Sequence, residues 1–385
     1  MKMIDDKLSH EEKVRYSRHF NLPHFSIDEQ LQLKRTKVLV IGAGGLGIPL
    51  LQYLTAIGIG KIGIVDFDRI ELSNLQRQVL FDHGDIGHWK TKTVIAKLRK
   101  QNPNVCFVDH RCRIESSNAM ELIAQYDIIA DGTDNFQTRY LINDACVLGS
   151  KAYVYASIFQ YEGQLTVFNK ALGNRLRGPN YRDLFPTPPS QGRVWDCADG
   201  GVLGVLPGIV GSMQALEVVK LILGIGEGLS GRLLLFDALS FTVRTLQISK
   251  DPKNPLTGDK PTQNTLIDYH QFCNAPITTD LKSISVAQLK IWMEEGRDFQ
   301  LIDVREAYEY KFSNLNGTSM PMGAVEKRIN EIEQQKDVVL VCKSGNRSAD
   351  TASLLKQKFG FSNIYHLNGG LLLWKEKIDK HLIIA

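Results

Sequence analysis

Short apolar runs alternate with longer segments of helical period from Lys37 to Asn135. The runs at 38–41, 62–65, 105–108 and 127–130 are short and rich in Val and Ile, so they are predicted as strands. Helical patterns between them predict an α/β layer on a Rossmann-like mixed, mostly parallel sheet, whose ligands bind beyond the carboxyl ends of the strands. A second, smaller α/β pattern follows, with strands at 300–304, 338–342 and 363–367 and a helix over 348–359. Between the two patterns, residues 251–279 carry Pro252, Pro255, Pro261 and Pro276 without a period and are predicted as a linker. The expected domains are therefore 1–250 and 280–385.

Two further stretches are read from their patterning. The first 35 residues are polar and helix-like, with Ser9-His-Glu-Glu12 as a capping box and Arg15 and Arg18 on one face; alone this is a solvated surface helix. The most apolar stretch, 201–229, is interrupted by Pro207, Glu217 and Lys220, which suits a buried helix better than a membrane span.

Composition narrows the classes. Of 385 residues, 43% are hydrophobic and 23% charged, as in ordinary globular protein. A net charge of +4 without a dense Lys/Arg block argues against a nucleic-acid partner. Cys106, Cys112, Cys146, Cys197, Cys273 and Cys342 form no C-x-x-C pair, and the chain opens on Met1-Lys-Met-Ile-Asp-Asp with no secretory leader. The expectation is free thiols in a reducing, cytoplasmic setting, away from any membrane.

Candidate chemistry begins at Gly42-Ala-Gly44-Gly45-Leu-Gly47, where an apolar run ends in glycines and enters a helix. Backbone N–H groups and a helix N-terminus there suit a phosphate. Asp66 closes the next strand about 20 residues on, where a ribose hydroxyl is usually caught. By itself this motif fits a dinucleotide site or a chance turn. Asp68 and Ser73-Asn74-Leu-Gln-Arg77-Gln78 follow, offering an amide and a guanidinium fork suited to phosphate oxygens. Lys90 stands in the first turn of a helix, where the dipole disfavours a structural cation and an anionic ligand accounts for it. Asp131-Gly-Thr-Asp134-Asn135 follows the 127–130 strand; Asp134 is either an N-cap or, with Asp131, part of a magnesium site shared with phosphates.

In the second pattern, Cys342-Lys-Ser-Gly-Asn-Arg347-Ser348 places a thiol at a strand end, on a short loop that opens a helix. Backbone N–H groups and a nearby arginine stabilise an anionic sulfur and can bind a terminal sulfur or oxyanion.

The motifs Arg15-Tyr-Ser-Arg18, Gly42 to Gly47, Asp66-Phe-Asp68, Ser73 to Gln78, Lys90, Asp131 to Asn135 and Cys197-Ala-Asp-Gly-Gly-Val-Leu-Gly204-Val-Leu-Pro207-Gly together resemble the MoeB/ThiF adenylyltransferases of the ubiquitin-activating-enzyme superfamily, over about residues 8–250. The resemblance implies a homodimer that uses ATP to adenylate the C-terminal Gly-Gly carboxylate of a ubiquitin-like sulfur carrier protein. It implies nucleotide binding by Gly42, Gly44, Gly45, Gly47, Asp66, Asp68, Ser73, Asp131 and Asn135. Asn74, Arg77 and Lys90 would hold the triphosphate, Asp134 magnesium, and Arg18 the other subunit's site. Cys197, in the Pro-rich 170–200 loop, is implied as a covalent residue, against the plainer reading of a small buried hydrophobe.

Cys342 to Ser348, with Leu301-Ile-Asp303-Val-Arg305-Glu306 and Leu367-Asn-Gly-Gly370-Leu-Leu-Leu-Trp374, resembles a rhodanese domain over about 280–385. The C-x-x-x-x-R spacing is the short rhodanese length; the similar phosphatases place one residue more between Cys and Arg. This implies Cys342 as a persulfide nucleophile, Arg347 beside it and a sulfane-sulfur donor.

The sequence departs from both families. MoeB/ThiF members commonly carry a structural zinc on two C-x-x-C pairs; here those positions read Asn180, Asp183, Asn254 and Thr257, so no zinc is expected. Residues 311–317 replace the usual rhodanese Gly-His-Ile-Pro-Gly-Ala stretch, which leaves donor specificity open. The rival readings are a dinucleotide-dependent oxidoreductase with a regulatory Cys domain, and a non-catalytic module that binds ubiquitin-like proteins.

Overall fold

Strand β1 (Lys37–Ile41) lies between two parallel neighbours and under helices on both faces, so Val38, Leu39 and Val40 are fully buried and its sequence shows no alternation. The computed structural model describes residues 7–188, 201–273 and 281–384. They form two compact units, the first extending to Phe272. In the first, β2 (Lys61–Val65), β3 (Cys106–His110), β4 (Ile128–Asp131), β5 (Ala152–Phe159), β6 (Glu162–Phe168), β9 (Arg232–Asp237) and β10 (Thr242–Gln247) complete an eight-stranded sheet ordered β10-β9-β6-β5-β4-β1-β2-β3. The strands from β3 to β5 run parallel, while β6, β9 and β10 are antiparallel. A small ribbon, β7 (Ala171–Gly173) with β8 (Leu176–Arg177), follows β6.

This order reverses direction between β1 and β4. The chain leaves β1 toward β2 and β3, then returns to place β4 on the other side of β1. The loops after β1 and β4 therefore diverge at their carboxyl ends and leave a crevice, the usual ligand position in open α/β sheets.

Leu206–Leu223 is long and apolar enough to cross a membrane by composition. Here it is a core helix: Gln214 Nε2 donates to the Asp131 and Val154 carbonyls at 2.8 and 2.9 Å, and the Glu217 carboxylate accepts from Leu229 N at 2.9 Å. At the N-terminal end, Ser9 and Glu12 form the expected capping box on helix His10–Arg15. That helix stops at Arg15, so Arg18 stands in the following turn and not on a shared helical face as expected.

Residues 251–272, expected as linker, lie in the first unit. Asn254, Leu256 and Tyr269 are buried there, and the Phe272 ring packs on Tyr140. Their anchors are polar: Tyr269 Oη and Gln263 Nε2 donate to Asp144 at 2.7 and 2.8 Å. Such anchors leave no hydrophobic period to read.

The second unit has a five-stranded parallel sheet ordered β11-β15-β14-β12-β13. It consists of β11 (Lys282–Ile284), β12 (Phe299–Asp303), β13 (Thr318–Ser319), β14 (Asp337–Val341) and β15 (Ile364–Leu367), with apolar clusters on both faces.

Candidate active sites

The crevice beside β1 collects most of the residues expected to bind nucleotide. Helix Gly47–Ile57 begins there with no side-chain cap, so its first N–H groups remain available to a ligand. The turn is tight enough that a Cβ on Gly47 would overlap the Gly42 carbonyl, and one on Gly132 would lie 2.8 Å from the same oxygen. The loop after β4 thus rests directly on the glycine loop. Arg77 crosses the opposite wall: a Cβ on Gly45 would sit 3.4 Å from Arg77 Cδ and 3.2 Å from Pro207 Cβ. Its Nη1 donates to the Ser73 carbonyl at 3.0 Å, and Asn74 is buried in the turn beneath, where its Oδ1 accepts from Glu71 N.

Asp66 shapes the floor. Its carboxylate accepts from Ala43 N and Asp68 N, each at 2.8 Å, which ties the end of β2 to the glycine loop. Burial pushes its carboxyl above the usual range, opposed by the Lys90 charge and those N–H groups. Lys90, first residue of helix Lys90–Gln101, is buried, and its Nζ pairs with Asp68 at 3.0 Å. A buried ammonium whose carboxylate partner is half exposed is a costly arrangement unless an anionic ligand completes it.

The carboxylates after β4 divide their work. Asp131 is completely buried and accepts from Thr133 N, Thr133 Oγ1 and Tyr153 Oη at 2.8, 2.7 and 2.6 Å. Its oxygens brace the loop from inside. Asn135, not Asp134, caps helix Phe136–Leu148, its Oδ1 accepting from Thr138 N at 2.9 Å. Asp134, on the loop after β4, is left exposed.

The sequence placed Gln78 in a motif without a role of its own and gave no role to Gln214 or Arg139. Gln78 lies buried beside Gly44, its Oε1 without a hydrogen-bond partner among the described residues. Gln214 clamps the carbonyl at the end of β4. Arg139 is buried behind Thr133, its Nη2 donating to the Thr133 carbonyl at 3.3 Å. Gln214 is a polar interruption in an apolar stretch, a signal legible in the sequence.

Arg18 lies elsewhere. Arg15 Nη1 donates to the Gln101 carbonyl at 3.0 Å, and Asn102 Nδ2 donates to Tyr16 Oη at 2.9 Å. Both anchors sit at the far end of the helix that Lys90 opens, twelve residues or about 18 Å from the crevice. Cys197 falls outside the described residues.

The second site is the loop after β14. Cys342 is fully buried, and its Sγ accepts from Gly345 N at 3.1 Å and Ser348 N at 3.3 Å, with Ser348 Oγ at 3.5 Å. Backbone N–H groups thus ring the sulfur, as the spacing implied. Arg347 forks onto Glu309 at 2.7 and 2.9 Å, fixing the loop against helix Ala307–Phe312. Burial works against the charged Glu309, but the Arg347 hydrogen bonds and charge outweigh it and hold the carboxyl below the usual range. Asp303 and Arg305 form a second buried fork at 2.7 to 3.1 Å, and Arg305 also donates to the Ser313 carbonyl. It braces the start of the segment that departs from the rhodanese pattern.

Gly370 closes this loop from below. Its φ is +56°, and a Cβ there would lie 2.5 Å from the Cys342 and Lys343 carbonyls and 2.6 Å from Gly345 N. Gly370→Ala is expected to lower sulfur transfer by about 10²-fold through displacement of the loop, with ATP–pyrophosphate exchange unchanged. Parallel assays of both half-reactions check this, and normal sulfur transfer by the variant would refute the loop's dependence on Gly370.

Comparison with known proteins agrees with these geometries. The ThiF family model matches residues 16–256, and the rhodanese-like domain model matches 285–377. The chain is 44% identical to the probable adenylyltransferase/sulfurtransferase MoeZ of Mycobacterium tuberculosis, covering 98% of this chain and 96% of that protein. It is 38% identical to the adenylyltransferase and sulfurtransferase MOCS3 of Xenopus laevis, over 97% and 88% of the two chains. The sulfur carrier protein adenylyltransferase of Thermus thermophilus is 48% identical, spanning 68% of this chain and 97% of that one. Among solved structures, E. coli MccB with ATP shares the first unit's fold, with a TM-score of 0.55 at 22% identity over 66% of this chain and 76% of that one. With family models on both units and relatives alike over nearly its whole length, the chain belongs to the ThiF family and carries a C-terminal rhodanese-like domain.

Proposed function

We propose that the chain adenylates the C-terminal glycine of a ubiquitin-like sulfur carrier protein with ATP and then converts that end to a thiocarboxylate through a persulfide on Cys342. The observation that carries this reading is the pairing, in one chain, of a crevice holding Arg77, Lys90 and an uncapped helix N-terminus with a thiol that accepts from two backbone N–H groups. Attack of a carboxylate on the α-phosphate brings two anions together, so the site must supply cations and alignment more than a base. Arg77, Lys90 and the N-terminus of helix Gly47–Ile57 supply them. Asp134 is the residue suited to hold magnesium, which would neutralise phosphate charge when bound.

In the first step a glycine carboxylate oxygen bonds to the α-phosphorus and pyrophosphate leaves. The terminal sulfur of the Cys342 persulfide, loaded by a sulfane-sulfur donor, then bonds to the acyl carbon and AMP leaves. Attack by a thiol on Cys342 Sγ breaks the sulfur–sulfur bond and frees the thiocarboxylate. Cys197 is the candidate thiol, and the disulfide it leaves with Cys342 is reopened by a cellular thiol reductant. A tether between the two chemistries holds their effective concentration near the millimolar range.

A homodimer accounts for Arg18. Its neighbours Arg15 and Tyr16 are anchored at the end of helix Lys90–Gln101 away from Lys90, which supports a partner chain as the recipient of its charge. The whole reading is tested by ATP–pyrophosphate exchange with purified small proteins ending in Gly-Gly. Exchange should require such a carrier, and mass spectrometry should find a 16 Da gain on it once a persulfide donor is added. Tight NAD binding without exchange would favour the oxidoreductase, and carrier binding without exchange would favour a binding module.

A further inference from the structure

Two turns of the first unit face each other at metal-ligand spacing, yet neither carries a thiol. One is Asn180-Tyr-Arg-Asp183 and the other Asn254-Pro-Leu-Thr257, so both have the C-x-x-C interval. Asn180 and Asn254 are each only 1% exposed. Each asparagine folds back on its own turn: Asn180 Oδ1 accepts from Arg182 N at 3.0 Å, and Asn254 Oδ1 accepts from Leu256 N at 2.9 Å. Across the gap, Asn180 Nδ2 donates to Thr257 Oγ1 at 2.9 Å, and Asn254 Nδ2 donates to Asp183 Oδ1 at 2.7 Å and approaches Asn180 Oδ1 at 3.3 Å. The four side chains converge on one point.

Structural zinc takes thiolate or imidazole ligands, and two amides, a hydroxyl and a carboxylate are not that set. The carboxylate is also committed, since Asp183 accepts from Asn180 N at 2.7 Å and from Asp251 N at 2.9 Å. The zinc that the family resemblance implies does not fit these residues. Thiolates about 2.3 Å from zinc lie roughly 3.8 Å from one another, and here hydrogen bonds of 2.7 to 3.3 Å draw the four side chains together.

We propose that this cluster is a hydrogen-bonded replacement for a tetrahedral metal site, built on backbone that keeps the metal site's shape. It performs the cross-linking that a metal would perform. The bond from Asn180 to Thr257 joins the short helix Tyr181–Leu184 to the segment that starts at Asp251. Arg182, two residues on from Asn180, forks onto buried Asp144 at 2.8 and 2.7 Å, and Asp144 also takes Tyr269 Oη and Gln263 Nε2. The chain leading toward Cys197 is thereby anchored without a metal ion.

The full-length quadruple variant N180C/D183C/N254C/T257C tests the shape. After purification without a metal-affinity step and dialysis, it should hold one zinc per chain by elemental analysis and give tetrahedral thiolate absorption with cobalt(II), whereas the natural sequence should do neither. A variant soluble only when zinc is supplied counts as support, and one that takes up no zinc, folded or not, overturns the proposal. Asn254→Ala tests the replacement itself: its Tm should fall by several degrees, with no recovery on adding zinc. An unchanged Tm, or one zinc per chain in the natural protein, would overturn it as well.

Discussion

The full-length chain carrying Cys342→Ser is expected to form acyl-adenylate at the normal rate and to yield no thiocarboxylate, a loss of at least about 10³-fold. The sulfur of Cys342 sits where Gly345 N and Ser348 N both point, at 3.1 and 3.3 Å. A serine oxygen can accept the same hydrogen bonds but cannot carry a sulfane sulfur, so the substitution leaves the loop standing and removes only the nucleophile. Since Cys342 is fully buried, the reaction also needs the 343–346 loop to open toward the acyl group. Mass spectrometry of the carrier after single turnover, with ATP–pyrophosphate exchange alongside, separates the two steps. Thiocarboxylate formed at the normal rate from a persulfide donor would refute the coupled mechanism.

Lys90→Met is expected to lower ATP–pyrophosphate exchange by about 10² to 10³-fold while leaving Tm the same or higher. The two effects have opposite origins. Lys90 is buried, and in the proposed reaction its ammonium would meet the charge that moves in the transition state. In the absence of nucleotide its partner is Asp68, whose side chain is 50% exposed. Removing the ammonium leaves Asp68 in water, while Asp66 loses the opposing charge but keeps its hydrogen bonds from Ala43 N and Asp68 N, and methionine refills the stem's space at little cost. A variant that lost activity and stability together would instead make Lys90 a folding residue. The discriminating measurements are exchange kinetics at saturating ATP and a melting curve without nucleotide.

The strands, the glycine turn and the thiol loop were legible because each depends on local rules. Buried parallel strands read as unbroken apolar runs, and Gly47 and Gly370 are required by close approaches that no side chain survives. Other assignments depended on where a side chain turned. Asp131 and Asp134 sit three apart in one motif, yet one is fully buried and the other exposed. Arg347 looked like a partner for sulfur and forks onto Glu309, which lies 38 positions earlier in the chain. The 251–272 segment gave no apolar signal because it is fastened by Asn254, Gln263 and Tyr269.

Sequence by itself determined the two α/β patterns, the families they resemble, the thiol loop of Cys342 and the glycine turn with its nearby charged residues. Short-range chemistry suffices for these, since strand period, turn sterics and motif spacing all act within a few residues. Tertiary structure decided the division of labour: that Asp131 is buried while Asp134 is exposed, that the turn holding Arg18 follows a helix anchored at Gln101, and that side chains from two distant turns, Asn180, Asp183, Asn254 and Thr257, hydrogen-bond to one another. Those outcomes are set by contacts across dozens of residues, where burial and hydrogen-bond satisfaction choose among conformations that are locally equivalent.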